Sequence, residues 1–137
     1  MSEITREGMQ AMLDGSPFIR LLRMSVVSLA REKLEVAISM PLAPEFERYP
    51  GTRQFHGGAI ASLIDVSGDF ALVLQVGGGV PTINLRVDFL RPAVGRLLAT
   101  ARARRAGRTI GVVDIDVTDD SDRLVAIGRG CYSMTAG

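Results

Sequence analysis

The stretch GGAIASLIDVSGDFALVLQV, Gly57–Val76, decides the fold. It has no proline and is apolar on nearly every side: Ala59, Ile60, Ala61, Leu63, Ile64, Val66, Phe70, Ala71, Leu72, Val73, Leu74 and Val76. A helix apolar all round is a buried helix, and Gly77-Gly78-Gly79 ends it, as glycine commonly does. The flanking segments read as strands. Leu22–Leu29 and Leu34–Met40 precede the helix; the second alternates Leu34, Val36, Ile38 and Met40 with Glu35, Ala37 and Ser39. Thr82–Leu90, Gly95–Arg105, Thr109–Thr118 and Arg123–Met134 follow it in hairpin succession, which favours antiparallel pairing. Ser2–Asp14 reads as a short amphipathic helix with Ser2 as its cap, stopped by Gly15-Ser16-Pro17. Pro41–Phe55 reads as a loop. One sheet and one apolar helix have an economical solution: an α+β fold in which a curved antiparallel sheet wraps around one long central helix.

With 137 residues, 47% hydrophobic and 23% charged, the chain is expected to form a single domain over 1–137 with one core. No apolar run is expected to reach the ~20 residues of a membrane span, and Met1–Gln10 is too polar for a signal peptide. The net charge of +1 argues against a basic field for nucleic acid, and an aromatic content of 5% leaves few platforms for stacking bases. A single cysteine, Cys131, rules out an intramolecular disulfide and makes a cytoplasmic location the simpler expectation. Cys131 itself reads as a packing residue. One His and one Cys do not build a Cys/His zinc site, so no metal is expected, and His56 is the sole candidate imidazole.

The densest chemical signal is Phe55-His56-Gly57-Gly58 at the start of the apolar helix, followed by Asp65 inside it. A helix start presents unpaired N–H groups and the positive end of the dipole. Such a terminus can hold a carbonyl oxygen that becomes negative during acyl transfer. A carboxylate within an apolar helix is costly unless it is paired or at a wet cleft, which makes Asp65 a functional candidate. Asp69, four residues on, shares nearly the same face; the sequence does not separate the two by physics, though Asp69, nearer the helix end, is expected to be the wetter. Gly57 and Asp65 are eight residues apart, ~12 Å of helix at ~1.5 Å per residue. One carbonyl does not reach both in one subunit, so joint action implies two antiparallel helices across a two-fold axis.

The segment His56-Gly57-Gly58-Ala59-Ile60-Ala61-Ser62-Leu63-Ile64-Asp65 resembles the signature of hot-dog fold acyl-CoA thioesterases, most closely the phenylacetate-pathway (PaaI-type) branch. Thr82–Pro92, Arg104–Arg108 and Leu124–Ala126 resemble that branch's later strands. The resemblance implies roles. Asp65 matches the catalytic carboxylate, as general base or nucleophile. Gly57 matches the glycine whose N–H polarises the thioester carbonyl from the partner subunit, with Gly58 beside it. His56 matches a histidine that orients the site or handles the leaving thiol, and Thr82 a hydroxyl that helps hold water. Relatives often carry Asn where this chain has Pro50; Gln54 is the candidate substitute amide. The resemblance also implies a homo-oligomer: a dimer by the geometry above, and a tetramer as the family expectation.

Hydrolysis of a thioester needs a polariser and a base or nucleophile and no cofactor; coenzyme A belongs to the substrate. Leu63 and Ile64, with the Pro41–Phe55 loop, are expected to line the acyl pocket. From Arg86 to Arg108 seven Arg face one acid, Asp88, and Arg binds phosphate bidentately. Arg91 and Arg108 are the candidates for coenzyme A; Arg102 and Arg104 read as cross-strand partners of Asp114 and Asp116. Two rival readings are a hot-dog dehydratase or hydratase and a non-catalytic acyl-CoA binding module.

Overall fold

The computed structural model describes residues 3–135. Its elements are α1 (Arg6–Gly15), α2 (Pro17–Leu22), β1 (Ser25–Ala30), β2 (Glu35–Met40), α3 (Gly57–Val76), β3 (Thr82–Phe89), β4 (Leu97–Ala106), β5 (Ile110–Thr118) and β6 (Leu124–Ser133). The six strands form one antiparallel sheet in the order β1-β2-β4-β5-β6-β3, and α3 packs against five of them. The expected α+β arrangement, a curved sheet around one central helix, is the observed one.

The N-terminal region differs from expectation. Thr5 caps α1: its side chain accepts the Gly8 N–H at 2.9 Å. Ser2 lies outside the described residues. Gly15-Ser16-Pro17 does not simply stop the chain. Ser16 caps a second short helix, and Pro17 fits its first turn because the N–H it lacks would be unpaired there. Leu22 therefore ends α2, and the strand expected from Leu22 begins at Ser25.

The core follows from period-two alternation on the strands and the near-continuous apolar character of α3. Leu97, Ala99 and Ala101 of β4 and Val113, Ile115 and Val117 of β5 are buried against the helix. Small residues on the sheet admit large helix side chains. Gly128 and Gly111 sit where Ile64 and Leu72 enter; a Cβ at either glycine would overlap them. The Tyr132 ring occupies the space between Gly68 on α3 and Gly130 on β6. By length and composition α3 would pass for a membrane span, which corrects the expectation that no apolar run reaches that length. Its burial makes it the core helix of the fold instead.

Two surfaces remain open. On α3, Gly58, Ala61, Ser62, Asp65 and Asp69 form a stripe that the sheet leaves partly uncovered. At the sheet edge, β3 carries Ile83 and Phe89 exposed at 57% and 55%, while Leu85 and Val87 between them are half-buried against the core.

Candidate active site

The junction before α3 is pinned from two sides. The His56 N–H donates to the Phe46 carbonyl at 2.7 Å, and the Phe55 N–H donates to the Ala93 carbonyl at 2.9 Å. Gln54 bridges Val94. The Pro41–Phe55 segment is thereby tied to the chain leaving β3. A cavity of about 600 Å³ opens at this junction, lined among others by Arg48, Gln54, His56, Gly57, Phe89 and Arg91.

His56 is the N-cap of α3. Its Nδ1 accepts the Gly58 N–H at 2.8 Å. Its carbonyl accepts from Ala59 at 3.0 Å and from Ile60 at 3.4 Å. These bonds satisfy the second, third and fourth amides of the helix. The Gly57 N–H is left without a partner among the described residues, at the positive end of the helix dipole and on the cavity wall. The cap thus separates the two glycines: Gly57 keeps a free donor, and Gly58 does not. A Cβ at Gly57 would press on the Phe89 ring at 3.3 Å, so this wall is closely packed.

Asp65 lies two turns further along. The Thr82 hydroxyl donates to its Oδ1 at 2.7 Å, and Oδ2 carries no hydrogen bond among the described residues. The Tyr132 hydroxyl donates to the Asp65 backbone carbonyl at 3.0 Å and fixes that turn of helix against β6. Burial and the nearby Asp65 and Asp69 charges hold the Tyr132 phenol well above its ordinary range, so it stays a donor. Asp69 was expected to be the wetter carboxylate. Instead it is partly buried, and burial pushes its pKa up to about 6, against the lowering effect of a Val80 N–H bond.

Other expectations divide. Gln54 and Arg91 do line the cavity at the helix start, and Gln54 Oε1 accepts from Arg48 at 3.4 Å. Leu63 and Ile64 do not line it. Both are fully buried in the core, because they project from α3 into the sheet. Arg108 is not near Arg91. Strand register puts Thr82 opposite Tyr132 and Phe89 opposite Ala126, with Ile110 opposite Ser133. Arg108 therefore sits at the Thr82 end of the sheet and Arg91 at the Phe89 end. Arg102 sits opposite Asp114 in the register, as expected, but its ion pair is with Glu35 of β2 at 2.6 Å. Arg104 approaches Asp114 at 3.7 Å, but Arg129 takes that carboxylate with two bonds of 2.6 and 2.9 Å and holds its pKa below the usual value. Sequence reasoning missed Arg48 and Phe89 on the cavity wall. They come from separate segments that meet only through the pairing around Ala93.

A long helix wrapped by this antiparallel sheet, with a glycine N–H at its start and a carboxylate two turns on, is a hot-dog thioesterase fold. Residues 55–126 match the thioesterase superfamily, over more than half of the chain; the chain belongs to that superfamily. It is 41% identical over 95 residues to a candidate esterase of Halobacterium salinarum, a match spanning 62% of this chain and 63% of that one. It is 28% identical over 132 residues to the acyl-coenzyme A thioesterase PaaI of Escherichia coli, covering 95% of this chain and 91% of that one. The PaaI crystal structure superposes with a TM-score of 0.82 at 26% identity, over 96% of this chain and 93% of that one. A solved thioesterase-superfamily protein gives a TM-score of 0.87 at 32% identity, over 93% of this chain and 96% of that one.

Proposed function

We propose that this protein hydrolyses acyl-CoA thioesters to the free acid and coenzyme A, acting as a homo-oligomer of at least two subunits. The observation that carries the reading is the division of α3 into two half-sites: an uncapped Gly57 N–H at its start and a Thr82-held Asp65 carboxylate eight residues on. About 12 Å of helix separates them, too far for one thioester. Two copies of α3, antiparallel with their open stripes facing, bring Gly57 of one against Asp65 of the other and build two sites per dimer. The exposed apolar edge of β3 supports association, since such edges are normally covered. A tetramer made from two such dimers is the family-level extension of this reading.

In each site the Gly57 N–H polarises the thioester carbonyl and stabilises the oxyanion that forms when the carbon is attacked. Thr82 engages Asp65 Oδ1, so Oδ2 is the working oxygen. As a general base it takes a proton from water while the water oxygen bonds to the carbonyl carbon. The tetrahedral species then expels the thiolate, which receives that proton. As a nucleophile, Oδ2 bonds to the carbon itself, releases the thiolate and leaves an anhydride for water to cleave. His56 acts by capping Gly58 and so leaving Gly57 as the donor. Arg91 and Arg48 offer guanidinium groups to the phosphates of coenzyme A. No metal or organic cofactor, nucleic acid or membrane takes part, and the cytoplasm is the proposed compartment. PaaI, the similar protein named as an acyl-coenzyme A thioesterase, supports the substrate class.

A thiol-release assay over aromatic, short- and medium-chain acyl-CoAs tests the reading, with Asp65→Ala and Asp65→Asn as controls. Turnover that survives both substitutions would sink it. The shared site has a separate test. Proline suits the first position of a helix and lacks the N–H at issue, and His56 already has the extended backbone that a following proline requires. Mixed Gly57→Pro and Asp65→Ala subunits should therefore recover part of the activity that each loses alone.

A further inference from the structure

Asp69 stands one helical turn beyond Asp65 on the same open stripe of α3. Its Oδ1 accepts the backbone N–H of Val80 at 3.0 Å. Between the two lies Gly77-Gly78-Gly79. Gly77 ends the helix in the left-handed region, with φ 88°. A Cβ at Gly78 or Gly79 would meet nothing within 4 Å, so no packing holds those residues. Three successive glycines sample many backbone states and do not by themselves direct the strand that follows. Burial of the Val80 side chain in the core and the β3–β6 ladder that begins at Thr82 anchor it, and two hydrogen bonds set its approach to the helix. The Ser133 N–H donates to the Pro81 carbonyl at 2.8 Å, from β6, and the Val80 N–H donates to Asp69, from α3. Thr82 comes two residues after Val80, and its hydroxyl reaches Asp65 across 2.7 Å.

We propose that Asp69 is a positioning residue: by clamping Val80 to α3 it sets the approach of the Thr82 hydroxyl to the Asp65 carboxylate. The two carboxylates, one turn apart, then form a single device, in which one holds the chain that orients the other. The inference rests on Asp65 being the working carboxylate. The burial that raises the pKa of Asp69 fits this role, because a charged group there costs stability at neutral pH and is not accounted for by packing. A carboxylate is also a stronger acceptor for a backbone N–H than a neutral amide.

Two readouts test the clamp, one of them independent of turnover. The first is nuclear magnetic resonance of the full chain. Asp69→Ala and Asp69→Asn both remove the charge, but only Asn keeps an acceptor for Val80. The Val80 amide should exchange faster in Asp69→Ala than in Asp69→Asn, and the Asp65 carboxyl carbon should shift between the two variants. Identical Asp65 and Val80 signals in both would overturn the proposal, whatever the enzyme turns over. The second readout is kinetic, on whichever acyl-CoA the wild type accepts. Loss of one orienting hydrogen bond predicts a kcat about tenfold lower in Asp69→Ala with KM unchanged, and within about threefold of wild type in Asp69→Asn. In a Thr82→Val background the Asp69→Ala loss should disappear, because there is no hydroxyl left to position. An undiminished loss in that background would overturn the proposal while leaving the hydrolysis reading intact. A wild type inactive on every thioester would instead remove the hydrolysis reading, and the resonance comparison would still decide the clamp.

Discussion

Thr82 and Asp65 are 17 residues apart in the chain, yet the hydroxyl of one lies 2.7 Å from the carboxylate of the other. Thr82 is exposed at the start of an edge strand, where its contribution to folding is small. Thr82→Val should therefore leave the melting temperature nearly unchanged while lowering kcat about five- to tenfold, the scale of one ordinary net hydrogen bond. Thr82→Ser should retain activity. A Thr82→Val variant with wild-type kcat would remove the hydroxyl from the working site.

The Tyr132 hydroxyl holds the Asp65 turn against β6. Tyr132→Phe should destabilise the protein by about 1 kcal/mol and leave the ring in place. Gly68→Ala should cost more, about 2–3 kcal/mol, because the new Cβ overlaps the buried Tyr132 ring and neither helix nor sheet can retreat freely. Urea unfolding ranks the two, and the opposite ranking would contradict the packing described above.

Asp69 links stability to pH. Its pKa rises from 3.8 to about 6 on folding, so the native state holds the proton more tightly than the unfolded chain. The stabilisation this gives is fully present below 3.8 and is lost as pH rises through about 6. Its size is about 2–3 kcal/mol. Asp69→Asn should flatten the stability profile between about pH 4 and pH 7 and raise the denaturant midpoint at neutral pH. An unchanged profile would show that the carboxyl is solvated in the native state.

Leu63 lies in the core, with no exposed surface. Leu63→Ala should cost about 2–5 kcal/mol in stability. It should not alter the relative kcat/KM across acyl-CoAs of different chain length. A reordered substrate preference in a protein that remains folded would return Leu63 to the acyl pocket.

Arg91 and Arg108 occupy opposite ends of the sheet, and only Arg91 lines the cavity at Gly57. Arg91→Ala should raise KM for coenzyme A thioesters severalfold with little change in kcat. The same change at Arg108 should have no effect at low salt. Equal KM effects would mean that the coenzyme spans both ends of the assembly.

The fold was legible because its signals are periodic and local. An apolar helix of 20 residues between alternating runs has few ways to bury itself. The N-terminal difference has a local cause as well: Ser16-Pro17 carries both a stop for α1, which ends at Gly15 as expected, and a start for α2, which the stop signal masks. The site was half legible. His56, Gly57 and Asp65 lie on one contiguous segment, so spacing alone relates them. Thr82 was placed by resemblance, and its bond to Asp65 depends on how β3 returns to the helix. Leu63 and Ile64 were misplaced because a helix apolar all round does not announce which side meets ligand. Arg48 and Phe89 were missed because long-range pairing brings them to the cavity, and no periodicity encodes that pairing.

The α3 segment between Gly57 and Asp65 is also a ruler. Deleting or inserting one residue there would move Asp65 by ~1.5 Å along the axis and turn it by ~100° about it. The carboxylate would swing from Thr82 into the ground now held by Leu63, Ile64 and the small residues of β6. Side chains within the segment can be exchanged one at a time, but its length has no neighbouring state that keeps both ends in use. Descendants of this chain can therefore drift widely in composition across these residues while the count from His56 to Asp65 stays locked.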